Sequence, residues 1–157
     1  MATTTNNGWT TPDDSQAFKL GANAMRTLGQ AIDTSVGTGL LAWTNYTPTV
    51  TTATGSITSK TIYQAKYAVL GKLGFVLFDL GIGTNGTGGG KLSFTLPSGA
   101  QAKSTFFCGV GRENANTGNM LQVVLETTSS ASIFTYNNLY PGANNARILA
   151  SITYEVA

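Results

Sequence analysis

The side chains that could carry chemistry in this chain are few, and their spacing argues against catalysis. The sequence contains no histidine, which excludes a Ser-His or Cys-His nucleophile and, with a single cysteine, leaves a zinc site without ligands. A glycosidase needs two carboxylates facing each other at a set distance, and no such pairing is evident here. We therefore expect no catalytic residue, no cofactor and no metal. The carboxylates that follow residue 43 are Asp79, Glu113, Glu126 and Glu155.

Asp79 and Cys108 each allow a structural and a reactive interpretation. Asp79 interrupts the apolar run 75–80, and we favour a Lys or Arg partner at a turn or an interface over a catalytic acid with a raised pKa. Cys108 lies in the apolar run 105–110. Cysteine is among the most buried residue types, so a buried spectator thiol is expected. A reactive or intermolecular thiol is the alternative.

Aromatic residues in a predicted loop supply the remaining chemistry, because a ring face offers a flat apolar surface on which a sugar can stack. The segment 134–142 is the best candidate for a recognition loop. The alternative is that one or two of its aromatic side chains pack beneath the loop. The candidate receptor-binding residues are Tyr136, Asn137, Asn138 and Tyr140.

A helix is predicted over residues 11–37. Thr11 suits the N-cap and Pro12 the first helical position, and glycines from Gly37 onward suit the end. Apolar positions spaced alternately by three and four predict the seam of a short trimeric coiled-coil stalk. An amphipathic helix lying on the rest of the protein is the alternative. The predicted seam residues are Phe18, Gly21, Met25, Leu28 and Ile32.

Residues 41–157 alternate apolar and polar side chains with the period of a strand. Short strands separated by loops at 83–90, 114–119 and 137–145 predict an antiparallel β-sandwich or jelly-roll head. The strand at 75–80 is apolar on both faces, and we expect a neighbouring subunit to cover the second face. Alternation also places one set of side chains on a common face, opposite Gln64 and Lys66: Tyr63, Ala65, Tyr67 and Val69.

The composition limits the classes of partner that we expect for this protein. Charged residues make up 10% of the chain, against roughly 25% in ordinary globular proteins, and the basic residues are scattered, so no nucleic-acid surface is indicated. No apolar run approaches the ~20 residues that cross a bilayer, and the N-terminus does not read as a signal peptide. We expect synthesis in a cytoplasm without export, and a polar docking arm over residues 1–10 with Trp9 as its anchor.

Several motifs resemble a module of tailed-phage structural proteins, mostly of siphophages. Residues 7–14 read Asn-Gly-Trp-Thr-Thr-Pro-Asp-Asp, like the G-W-x-T-P-x-D start of that module. Residues 28–33 end in Ala-Ile-Asp, which resembles the end of the short helix in the module. Residues 43–50, Trp-Thr-Asn-Tyr-Thr-Pro-Thr-Val, resemble the W-x-x-Y-T-P-T opening of the β-domain that follows the helix. Tyr67, Gly71-Lys72 and Leu96-Pro97 fall where that domain carries similar residues, so the resemblance covers roughly residues 7–97.

The resemblance implies a virion protein: a minor tail protein, a tail fibre or a related appendage. It implies a homotrimer that docks on another virion protein through its N-terminal arm and contacts a host-surface glycan at the tail. A capsid decoration or head-fibre protein with a structural role is the alternative. Long tail fibres carry the module at the end of a much longer chain, whereas here it stands nearly alone.

Overall fold

The computed structural model describes residues 2–3, 10–11, 18–37 and 42–157. The chain divides into two compact units, Met1–Ala42 and Trp43–Ala157. The sequence predicts a head that begins at residue 41, and the second unit begins at Trp43.

In its described residues, the first unit contains two short strands and one helix. Strands β1 (Ala2–Thr3) and β2 (Thr10–Thr11) pair antiparallel. Helix α1 is described over Phe18–Gly37. Its predicted start at Pro12, the anchor Trp9 and residues 38–41 lie outside the described residues.

The predicted seam of α1 is partly exposed in the single chain. Met25 is 63% exposed and Ile32 is 38% exposed, whereas Gly21 and Leu28 are partly buried and the neighbouring Ala24 is buried. The side chain of Phe18, the first predicted seam residue, is outside the described part of the chain. The coiled-coil stalk therefore stays a prediction.

The second unit is one antiparallel sheet of nine strands that curls on itself. Along the sheet the strands follow the order β3-β5-β6-β11-β8-β9-β10-β7-β4. The prediction of a mainly β protein with one N-terminal helix is confirmed, and the sandwich or jelly-roll arrangement stays a prediction. The strands are β3 (Thr44–Asn45), β4 (Val50–Thr54), β5 (Ser59–Leu70), β6 (Leu73–Thr84), β7 (Gly89–Thr95), β8 (Cys108–Glu113), β9 (Met120–Thr127), β10 (Ser130–Thr135) and β11 (Ala146–Glu155).

Strands β3 and β4 lie at opposite edges of the sheet, yet only residues 46–49 separate them in the chain. Such a short connection spans at most about 18 Å, so the sheet must curl until its edges approach each other. Within this connection the Tyr46 amide donates to Ala65 of β5, and the carbonyl of Thr49 accepts from Thr95 of β7. A single segment thus ties both edges of the sheet.

Two glycines on β8 allow a close approach of the backbone where β8 meets β11. A Cβ on Gly109 would lie 2.1 Å from the carbonyl oxygen of Ser151, and one on Gly111 would lie 2.6 Å from that of Leu149. Such distances are too short for any side chain, because the backbone of β11 occupies the space on the inner side of β8. The backbone of β11 therefore approaches β8 more closely at these two positions than any residue but glycine permits.

This register overturns the predicted burial of Cys108. Gly109 and Gly111 face inward, so the alternation of the strand turns Cys108, Val110 and Arg112 outward. The thiol of Cys108 is free and exposed. The prediction of a buried spectator thiol is therefore wrong.

The core lies inside the curl and follows the predicted alternation closely. Both Phe94 of β7 and Tyr154 of β11 are almost fully buried, and the Tyr154 hydroxyl donates to the carbonyl of Ala100. The inward sets of the later strands are Leu92, Phe94 and Leu96, then Leu121, Val123 and Leu125, then Ile148, Ala150, Ile152 and Tyr154.

Candidate functional site

Four loops gather at one end of the sheet, which we call the loop end. They comprise residues 55–58, 85–88, 114–119 and 136–145. The Thr87 amide donates to the carbonyl of Ser56 (3.2 Å), which joins the first two loops. Asn144, in the last of these loops, connects it to two others. Its Oδ1 accepts from the Asn85 amide (2.8 Å), and its backbone carbonyl accepts from Asn116 Nδ2 (2.9 Å). The loop end is therefore held by bonds between loops.

Glu113 fixes the 114–119 loop from inside. Its carboxylate is almost fully buried and accepts from the backbone amides of Ala115 (2.9 Å), Asn116 (2.9 Å) and Thr117 (2.5 Å), and from that of Arg147 on β11 (3.1 Å). Burial by itself would raise the pKa of this carboxyl, but the four backbone hydrogen bonds outweigh it and lower the pKa to about 2. The group is a charged structural anchor at neutral pH.

The other three head carboxylates each have a cationic partner. Asp79 forms a two-point pair with Arg147, in which Nε lies 3.0 Å from Oδ1 and Nη2 lies 2.7 Å from Oδ2. Glu126 pairs with Lys91 and Glu155 with Lys103. The expected Arg or Lys partner of Asp79 is thus observed, although Asp79 lies within strand β6 and not at a turn.

The predicted recognition loop divides into an exposed part and a packed part. Tyr136 is 76% exposed, and Asn137 and Asn138 are exposed as well. Tyr140 is only partly exposed, because it packs against the core and its hydroxyl donates to Asn85 Oδ1 at 2.6 Å. Burial accordingly raises the pKa of Tyr140. One of the two predicted loop tyrosines therefore supports the loop from below.

Hydrogen bonds hold the tip of this loop. The Thr135 hydroxyl donates to Asn137 Oδ1 (2.5 Å), and Gln122 Nε2 donates to Asn138 Oδ1. Asn138 adopts a positive φ of 61°, a conformation that asparagine tolerates better than most residues. Leu139 is also exposed, although it is not among the candidate residues predicted for the loop from the sequence.

The loop end lies opposite the point where the chain enters the second unit. Trp43 precedes β3, whose Thr44 pairs with Tyr67 near the Leu70 end of β5. The loops adjoin the other end of β5, at Ser59. Tyr136 and Trp43 therefore belong to opposite ends of the head.

Comparisons with known proteins add no relative: no family model, no curated protein and no solved structure matches this chain. Within the residues that the structure describes, no helix is long and apolar enough to cross a membrane. The same residues bring together no group of three or more His, Cys, Asp or Glu side chains that could hold a metal ion.

Proposed function

We propose that this protein is a non-enzymatic appendage of a phage virion, located at the tail, where its head contacts the host surface. The observation that carries the proposal is the loop end: an exposed tyrosine on hydrogen-bonded loops, at the opposite end of the head from the chain's entry. Loops held on a rigid sheet commonly carry recognition. The motifs at residues 7–14 and 43–50 supply the phage assignment by resemblance.

The proposed molecule is a homotrimer with a coiled-coil stalk and sandwich-like heads, docked by residues 1–10 on another virion protein. Exposure of Met25 and Ile32 on α1 supports partner helices. A shallow groove of about 410 Å³ lies on the outer face of the head, and the outward side chains of β6 and β8 in its walls are largely apolar. This apolar surface supports contact between heads. The apolar walls of the groove are formed by Leu77, Leu149, Val110 and Met120.

Association is tested by light scattering on the full chain. A mass of about three times 16.3 kDa is expected. Ile32→Asp should lower it, since three like charges would meet in one layer of the seam. Val110→Glu with Met120→Glu should do the same if the groove is an interface. Phe106→Glu is the control, because Phe106 is already 93% exposed. A monomer at micromolar concentration would refute the trimer.

Location and adsorption test the function itself. A few copies at the tail, seen by labelled electron microscopy of virions, would support host contact, whereas many copies on the shell would support the capsid-decoration alternative. The variant Tyr136→Ala with Leu139→Ala should slow adsorption to host cells. Tyr140→Phe is the matched control within the loop, since it keeps the ring that packs beneath it. Adsorption of the double variant at the normal rate would contradict a receptor role for this loop.

A further inference from the structure

A β-bulge places Tyr63 on the outer face of the head, away from the face that alternation predicts. Ile62 pairs with Leu80 and Gln64 with Asp79, so Tyr63 is the extra residue between two consecutive pairs. Bulges redirect side chains and occur often beside functional sites. The prediction that Tyr63 shares a face with Ala65 is therefore wrong, because the bulge shifts the alternation by one residue.

Three strands fix the orientation of the Tyr63 ring. It lies across Gly81 of β6, where a Cβ would come within 2.6 Å of the ring atom Cε2. The guanidinium carbon of Arg147 on β11 lies 4.8 Å from the ring centroid, within the range of a cation–π contact. Asp79 holds that guanidinium by its two-point pair. The ring is thus pre-positioned, yet Tyr63 remains 61% exposed.

A groove of about 320 Å³ adjoins the ring. Gly81 and Gly83 line it along β6, and Ser59, Thr61 and Asn145 add polar side chains. No hydrogen bond within the described part of the chain occupies the hydroxyls of Ser59 and Thr61 or the side-chain amide of Asn145. These groups are available to a ligand.

The charge of the groove is balanced, because Arg147 is its one ionic lining residue and Asp79 neutralises it. The exposed ring lies beside unoccupied hydroxyl and amide groups and beside a guanidinium whose Nη1 takes no part in the pair with Asp79. This arrangement matches a ligand with an apolar ring face and many hydroxyls. The geometry points to a binding site for an uncharged saccharide, whose C–H face stacks on Tyr63 and whose hydroxyls bond to Arg147 and Asn145. The assignment of the sugar to a host surface rests on the proposed function, whereas the binding site itself is inferred independently of that function.

Saturation-transfer NMR on the full chain tests this site. The probes are the methyl glycosides of glucose, galactose and N-acetylglucosamine, with glucuronic acid as the charged comparison. We expect transfer to the pyranose C–H protons of at least one neutral probe. Tyr63→Ala should weaken that binding about tenfold or abolish it, as loss of a stacking partner implies. Tyr63→Phe should bind within about twofold of wild type, because the ring remains.

Phe106→Ala is the control, since it removes an exposed aromatic ring that does not line the groove and should leave saccharide binding unchanged. Failure of all three neutral probes to bind, equal binding by Tyr63→Ala, or tighter binding of glucuronic acid would each overturn the assignment. These results are separable from the proposed function. A protein absent from virions that still binds sugar through Tyr63 refutes only the virion role, and a tail protein that binds no sugar refutes only this site.

Discussion

Phe78 and Phe94 stack in the core with ring centroids 4.5 Å apart and planes within 9° of parallel. Their strands, β6 and β7, lie five places apart in the order of the sheet. A flat sheet would separate them by more than 20 Å at about 4.8 Å per strand. The contact therefore exists only because the sheet curls, and it joins the two halves of the inner face.

Loss of this contact should destabilise the head strongly. Phe78→Ala removes a buried ring and leaves a cavity that the surrounding strands cannot fill, which costs about 3–5 kcal/mol of unfolding free energy. Chemical denaturation of the purified chain measures it. Phe106→Ala is the matched control and should stay within about 0.5 kcal/mol, because that ring is exposed. Equal stability of the two variants would contradict the described core.

Gly109 should tolerate no side chain. In Gly109→Ala the new methyl group would meet the backbone of Ser151, and a strand backbone cannot move aside without breaking its pairing, so we expect a loss on the order of 2 kcal/mol or more. Thermal unfolding reports it. Gly99→Ala is the control, because its Cβ would lie at an ordinary 3.4 Å from the Tyr67 hydroxyl. Similar melting temperatures for both variants would show that the close approach of β11 to β8 is wrongly described.

Glu113 should make the head sensitive to acid. Its pKa is lowered from 4.5 to about 2, so the folded state favours the charged carboxylate. The resulting stability, roughly 3 kcal/mol, is present above the unfolded pKa and is lost as the pH falls from about 4.5 towards 2. Urea unfolding across this pH range measures the loss.

Glu113→Gln should lower the stability at neutral pH and flatten its dependence on acid, since an amide cannot accept all the bonds of the carboxylate. Glu126→Gln is the control: its partner Lys91 is on the surface, so the cost should be about 1 kcal/mol or less. An unchanged acid slope in Glu113→Gln would disprove the anchor role.

Cys108 should react in the native protein. Because its thiol is exposed on β8, a thiol-specific chromogenic reagent should label one group per chain without denaturant, and Cys108→Ser should give no signal. Labelling that appears only after unfolding would contradict the exposed thiol and would agree with the burial that the apolar run 105–110 predicts. Slower labelling at higher protein concentration would indicate that a second subunit covers this face.

Local pattern by itself determined the helix, several of the strands and most of the inward faces of those strands. The alternation in Leu121, Val123 and Leu125, like that in Ile148 through Tyr154, survives in the fold because successive side chains of any strand point to opposite faces. Local pattern gave the wrong prediction at two residues. At Tyr63 a bulge adds one residue to the strand, and at Cys108 the inward positions of β8 are occupied by glycines.

Only the tertiary structure decided which distant residues meet. Arg147 follows Asp79 by 68 positions, and no spacing rule selects it over the other cations; antiparallel pairing of β11 with β6 brings them together. The same holds for the loops joined by Asn144 and for the support of Tyr140 by Asn85. Strand order and register depend on the packing of the whole core, a sum over many weak long-range contacts that no single stretch of sequence contains.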